Sequence, residues 1–211
     1  MKEGQYSGLE ELKHEFDLRK DPIRQRLSDF AAVTPEEYFY ELVYCLLTPQ
    51  SSAVNAGRAV EQLKIAGLFE REIEPARLLH QEGFYIRFHN TKGKHLKEAK
   101  RKFPEIIAVL RNGQSSTQLR VWLVKNVSGL GWKEASHFLR NIGHRDFAIL
   151  DRHILKNLKK HGVIRSLPKT LTEKRYLAIE RKFLAFSRYI GISMDELDLL
   201  FWSRETGVVL K

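Results

Sequence analysis

Apolar residues recur at three- and four-residue spacing along most of the chain, the period of helices that bury one face. Leu9, Leu12 and Phe16 mark one short helix. Thr34-Pro35-Glu36-Glu37 reads as a helix start: Thr can cap, Pro suits the first turn, and acids favour the positive end of the helix. The helix it opens carries Phe39, Leu42, Val43 and Leu46 and stops near Thr48-Pro49. A further helix begins around Ser51-Ser52 and runs through Ala53, Ala56 and Val60. Leu96 to Leu110 is helical in pattern, with Pro104 either bending it or opening a second helix. Leu119, Trp122, Leu123 and Val127 mark another. Phe183, Leu184 and Phe186 lie in a long helix, and Met194 to Trp202 form the last one.

Only residues 80–95 break this rhythm. Within them Phe84 to Asn90 reads as a short strand or an aromatic loop. Alternating β-branched runs and Asn-Gly or Asp-Gly hairpin turns are absent from the sequence, as are internal repeats and low-complexity linkers. The predicted fold is therefore all-α, with about ten helices. Two lobes are compatible with this length, although the composition does not divide the chain.

The most informative stretch is Lys125-Asn126-Val127-Ser128-Gly129-Leu130-Gly131-Trp132-Lys133-Glu134-Ala135. Amphipathic helices precede and follow it, so residues 116–142 read as helix, hairpin, helix. Two glycines around Leu130 permit a tight turn and leave backbone N–H groups bare for a phosphate at the next helix's N-terminus. Gly-x-Gly alone is equally compatible with an ordinary αα-corner. Lys133 adds chemistry. It falls in the first helical turn, where the macrodipole disfavours a cation and favours the neutral amine that can attack carbon. Downstream, Asp151 in Ala148-Ile149-Leu150-Asp151-Arg152-His153 reads as the N-cap of a helix from Arg152 to Lys160. A cap is also a rigid place to hold a carboxylate.

Charge adds a partner. The 36 Lys and Arg residues outnumber the 26 Asp and Glu residues, a formal net charge of +10 that favours a polyanion such as nucleic acid. The single cysteine, Cys45, sits in an apolar run and reads as a buried small hydrophobe. One thiol can neither close an intrachain disulfide nor hold an iron–sulfur cluster. His residues are not spaced as a zinc site. No apolar run reaches the ~18 residues of a membrane span, so the expectation is a soluble, cytoplasmic protein.

Val127 to Lys133 followed by Asp151 resembles the helix–hairpin–helix DNA glycosylase superfamily. Leu46-Leu47-Thr48-Pro49-Gln50-Ser51 is similar to that superfamily's Leu-x-x-Gln-(Ser/Thr) segment. The tail from Leu199 through Trp202 to Lys211 resembles the archaeal-type, second type of 8-oxoguanine glycosylase, whose members are short and end at a lysine. One departure is the loop Gly143-His144-Arg145-Asp146-Phe147, which lacks the proline usual there.

The resemblance implies a single glycosylase unit over residues 1–211, in two helical lobes with a DNA cleft between them. It implies excision of 8-oxoguanine through a Schiff base on Lys133, with Asp151 assisting, and then strand cleavage by β-elimination. Gln50 would fill the gap left by the extruded nucleotide. Backbone N–H groups near Gly129, Gly131 and Glu134, together with His153, would contact phosphate. Lys211, Trp202 and, as a second aromatic wall, Phe88 would recognise the base. A monovalent cation would sit at the carbonyls of Lys125, Val127 and Leu130. No redox cofactor is implied. The partner would be double-stranded DNA containing 8-oxoguanine, bound by a monomer.

Without the resemblance the same residues have plainer readings: Gln50 as a surface residue at a helix entrance, Trp202 as core, His153 on a solvated face, Lys211 as a frayed tail. Two other functions stay open at this point. A non-catalytic helix–hairpin–helix module would need Gly129 and Gly131 but not Lys133 or Asp151. A glycosylase for another lesion, such as oxidised pyrimidines, would keep the chemistry and change the pocket.

Overall fold

A computed structural model describes residues 6–81, 83–207 and 209, with backbone alone at 205 and 206. Its elements in order are α1 Leu9–Ala31, α2 Tyr38–Leu47, α3 Ala53–Ile65, α4 Pro75–Leu78, β1 His80–Gln81, β2 Phe84–Tyr85 and α5 His89–Arg111. They are followed by α6 Ser116–Asn126, α7 Trp132–Asn141, α8 Arg152–Lys160, α9 Glu173–Ile190 and α10 Met194–Thr206. The predicted all-α class holds, with one small antiparallel hairpin that pairs His80 with Tyr85 and Gln81 with Phe84. It accounts for the irregular aromatic stretch. None of the described helices is long and apolar enough to cross a membrane.

The chain folds as two compact units, Val33–Ile142 and a second made of Met1–Ala32 with Gly143–Lys211. In the first, α2 is the centre and packs on α3, α5 and α7. Phe39, Leu42, Val43, Cys45, Leu46 and Leu47 are all essentially inaccessible, because a helix apolar on every side is stable only when surrounded. In the second, α10 packs on α1, α8 and α9. Leu12, Ile23, Phe183, Phe186 and Phe201 fill that core, and the His161 ring stacks on Phe201 at a centroid distance of 5.6 Å.

Three sequence expectations need correction. The N-terminal helix is not short: Ile23, Leu27 and Phe30 continue the buried stripe begun by Leu12 and Phe16. Pro22 lies inside it, and the carbonyl that loses its helical N–H belongs to Leu18, an exposed residue. Thr34-Pro35-Glu36-Glu37 forms a separate turn, with Glu37 N–H donating to Thr34 O at 2.9 Å, and α2 starts only at Tyr38. Helix α5 begins at His89 rather than near Leu96, and of the two readings of Pro104 the second is excluded, since one helix of 23 residues runs through it.

Candidate active site

The hairpin is built from both of its flanking helices. Helix α6 begins on a capping box, Ser115 with Gln118, and ends at Asn126. Val127 and Leu130 are buried, and the Leu130 N–H donates back to Val127 O at 3.2 Å. Arg120 of α6 is buried, hydrogen-bonds Ser136 Oγ at 3.1 Å and lies over the Trp132 ring at 4.9 Å, fastening α6 to α7. Gly129 has φ 88, and a Cβ there would lie 2.5 Å from His95 Nδ1 and 3.0 Å from Leu46 Cδ2. Its glycine is thus required both by backbone and by space. Gly131 differs from the expectation of two turn glycines. It is the extended N-cap of α7, with φ −89.

Lys133 is the second residue of α7, as the sequence pattern predicts, and its side chain is 23% exposed. Its Nζ lies 3.4 Å from Glu134 Oε1. The other carboxylate oxygen of Glu134 accepts from the Gly131 N–H at 3.2 Å. That N–H, assigned above to phosphate, is therefore engaged by the protein's own Glu134. Helix α6 stops at Asn126, so carbonyls of its last turn have no further helical N–H to accept. Backbone carbonyls are hard oxygen donors of the kind that suits a monovalent cation; of the expected set, Lys125 O lies in that last turn, whereas Val127 O already accepts from the Leu130 N–H and would have to offer its second lone pair.

Gln50 follows α2 and Phe88 precedes α5. Both are exposed, and both adopt left-handed backbone, φ 56 and φ 61. The Arg87 guanidinium covers the Phe88 ring at 5.0 Å.

The second unit holds Asp151, Trp202 and His153. Asp151 caps α8, and its Oδ1 accepts from the N–H groups of His153 and Ile154, each at 2.8 Å. Its Oδ2 accepts from the Trp202 indole N–H at 3.1 Å. The segment leading to it is strapped to α9. Ala148 N–H donates to Glu180 Oε2 at 3.0 Å, and the Tyr176 hydroxyl donates to Ala148 O. Trp202 is therefore more than core, since its indole N–H is spent on Asp151. The His153 ring meets Trp202 edge-on at 6.3 Å, and its Nε2 accepts from Arg152 Nε at 3.1 Å. Arg204 sits two residues beyond Trp202, ion-paired to Glu15 and hydrogen-bonded to Asn157 Oδ1 at 2.8 Å, and fixes the end of α10. Lys211 lies outside the described residues.

Lys133 and Asp151 belong to different units, and each is fixed within its own. Sequence reasoning missed the supports Tyr176 and Glu180, which are ordinary helix residues in the pattern. It also missed Lys92, a buried lysine in α5 whose Nζ reaches Leu47 O, Pro49 O and Ser51 Oγ. Burial, and to a lesser degree the positive charge of Lys133, pull its pKa down to about 8. Nothing in its sequence neighbourhood separates it from a solvated lysine.

The family model described as 8-oxoguanine DNA glycosylase (Ogg-HhH) matches residues 23–192. Among curated proteins, the 8-oxoguanine DNA glycosylase/AP lyase of Fusobacterium nucleatum subsp. nucleatum is 39% identical over the whole of both chains. The protein of that name from Korarchaeum cryptofilum is 42% identical over 91% of each. The crystal structure of the Thermotoga maritima 8-oxoguanine DNA glycosylase superposes with a TM-score of 0.85 at 33% identity, covering 96% of this chain and 98% of that one. The Methanocaldococcus jannaschii 8-oxoguanine glycosylase/lyase, solved with a 15mer DNA containing 8-oxoguanine, gives 0.84 at 32% identity over 95% and 99%. A glycine-tight hairpin that ends in a helix-borne lysine, a capping aspartate, and relatives that match end to end lead to one statement: this chain belongs to the 8-oxoguanine DNA glycosylase family.

Proposed function

We propose that this protein excises 8-oxoguanine from double-stranded DNA and then cleaves the strand at the abasic site. The observation that carries the reading is the position of Lys133: the first turn of α7, directly after the Gly129 hairpin, in a chain whose relatives are named 8-oxoguanine DNA glycosylase/AP lyase.

The damaged nucleotide leaves the stack, because its sugar C1′ is unreachable inside the duplex. Gln50, projecting from its left-handed turn, fills the gap. Trp202 and Phe88 offer aromatic faces to the extruded base, and Lys211 supplies polar groups that separate 8-oxoguanine from guanine. Discrimination of this kind works by leaving a buried partner unpaired when the wrong base enters. Backbone N–H groups of Gly129 and Glu134, with His153, hold phosphate. The net charge of +10 supplies attraction that reads no sequence.

Lys133 attacks C1′ as a neutral amine, the C1′–N9 bond breaks, and the base leaves. Asp151 accepts the proton that Lys133 gives up and stabilises positive charge developing on the sugar. The C1′–O4′ bond then breaks, the ring opens with O4′ taking up a proton, and C1′ is left as a Schiff base with Lys133; this acidifies the adjacent C2′ proton, and loss of that proton expels the 3′ phosphate by β-elimination. The lysine carries every covalent step, so no redox cofactor is called for. A monovalent cation at the hairpin carbonyls would add a positive charge beside a DNA phosphate. The setting is the compartment that holds the cell's DNA, and a monomer suffices.

Borohydride trapping on an 8-oxoguanine duplex tests this. The wild-type chain should give a covalent adduct, and Lys133→Gln should bind DNA yet neither trap nor cut. Turnover by Lys133→Gln comparable to wild type would remove the assigned nucleophile. Excision of thymine glycol in place of 8-oxoguanine, across a panel of single-lesion duplexes, would move the substrate to oxidised pyrimidines. Deleting Lys211 should weaken discrimination against guanine more than DNA affinity.

A further inference from the structure

Lys92 has a place in none of these steps, yet it is 5% exposed, and its Nζ donates to Leu47 O at 2.7 Å, Pro49 O at 2.7 Å and Ser51 Oγ at 3.2 Å. Three acceptors match the three N–H donors of an ammonium, and a neutral amine would leave one of them without a donor. The acceptors bracket one residue, Gln50. Ser51 Oγ in turn accepts from the Arg87 N–H at 3.0 Å, so the same cluster holds the backbone next to Phe88. Gln50 and Phe88 are two of the three non-glycine residues with positive φ among the described residues. Such backbone persists only where its surroundings over-determine it.

We propose that Lys92 is a positioning residue, whose buried ammonium braces the Thr48–Ser52 turn against the start of α5 and holds Gln50 ready to enter the duplex. A methionine would occupy similar space without the cost of desolvating a charge, so packing alone does not account for an ammonium there. Burial lowers the proton affinity of Lys92, which is the sign of that cost. What the ammonium provides in exchange is geometry: two carbonyls and a hydroxyl drawn to one point, with the intervening residue turned outward.

The inference rests on the role given to Gln50 above, and its test separates the two. Single-turnover excision of 8-oxoguanine from duplex DNA is measured for wild type, Gln50→Ala, Lys92→Met and the double variant, with thermal melting of each. Lys92→Met should lose about tenfold or more in rate, the scale of a group displaced by around 1 Å. The double variant should be no slower than the slower single one, since Lys92 acts through Gln50. Ser51→Ala, which removes one of the three acceptors and the link to Arg87, should lose rate in the same direction, and it serves if Lys92→Met does not fold. Losses that multiply in the double variant, or that follow a fall in melting temperature, would overturn the proposal. So would a slow Gln50→Ala beside unimpaired Lys92→Met and Ser51→Ala. A Gln50→Ala variant as fast as wild type would instead remove the gap-filling role itself, and the positioning proposal with it.

Discussion

The indole N–H of Trp202 donates to Asp151 Oδ2 at 3.1 Å while the other oxygen of the same carboxylate caps α8. The carboxylate is thus held from both sides, by a helix start and by a side chain 51 residues away. Trp202→Phe retains a ring for base stacking and deletes the donor. A hydrogen bond to a charged group is worth ~1.5–3 kcal/mol, so excision should slow by about ten- to a hundredfold if Asp151 needs this restraint. Single-turnover rates on an 8-oxoguanine duplex check it, and a wild-type rate would confine Trp202 to the base.

Asp151→Asn separates folding from chemistry. Asn caps as well as Asp does, but it brings one oxygen where the native side chain uses two. Either the cap or the indole loses its acceptor, for a cost of about 1–2 kcal/mol that urea unfolding can read. Excision should fall by at least two orders of magnitude, roughly the scale of a lost acid–base group. A variant that keeps its activity would remove Asp151 from the chemistry.

The two hairpin glycines should respond unequally to alanine. At Gly129, φ is positive and the new Cβ meets His95 and Leu46, so Gly129→Ala should cost about 2–3 kcal/mol. At Gly131 the backbone is extended, and the Cβ would approach only the Glu134 carboxylate, at 3.0 Å, so the cost should stay below ~1 kcal/mol. Equal losses in urea unfolding would contradict the distinct conformations of these residues.

Lys92 gives the protein a pH signature. Its pKa is pulled down to about 8 from an ordinary 10.5, chiefly by burial and then by the charge of Lys133, with Glu134 opposing. Below pH 8 both the folded and unfolded chains carry the proton, and the folded one bears the cost of a buried charge. Between pH 8 and 10.5 the unfolded chain holds more protons, so stability from this group rises with pH, by a total on the order of 3 kcal/mol. Urea unfolding of wild type and Lys92→Met at pH 7 and pH 10 isolates the effect. Wild type should gain on the variant at the higher pH, and a constant difference would refute it.

Periodicity alone placed most helices, because one buried face at a 3.6-residue period writes itself into the sequence. Local chemistry located the rest of what could be read: the Gly129 turn, Lys133 in the first turn of α7, and Asp151 as the cap of α8. The helix that begins at Leu9 extends beyond the Leu9, Leu12 and Phe16 that mark it in the pattern, because Ile23, Leu27 and Phe30 are buried with them only once the core has formed. Left to tertiary structure were the relations with no local period. These are the packing of α1 on α10 from opposite ends of the chain, the strapping of Ala148 by Tyr176 and Glu180, the Trp202–Asp151 hydrogen bond, and the burial of Lys92 against the Gln50 turn. Backbone pattern follows from neighbours a few residues away, whereas desolvation and side-chain pairing depend on which distant segments exclude water together.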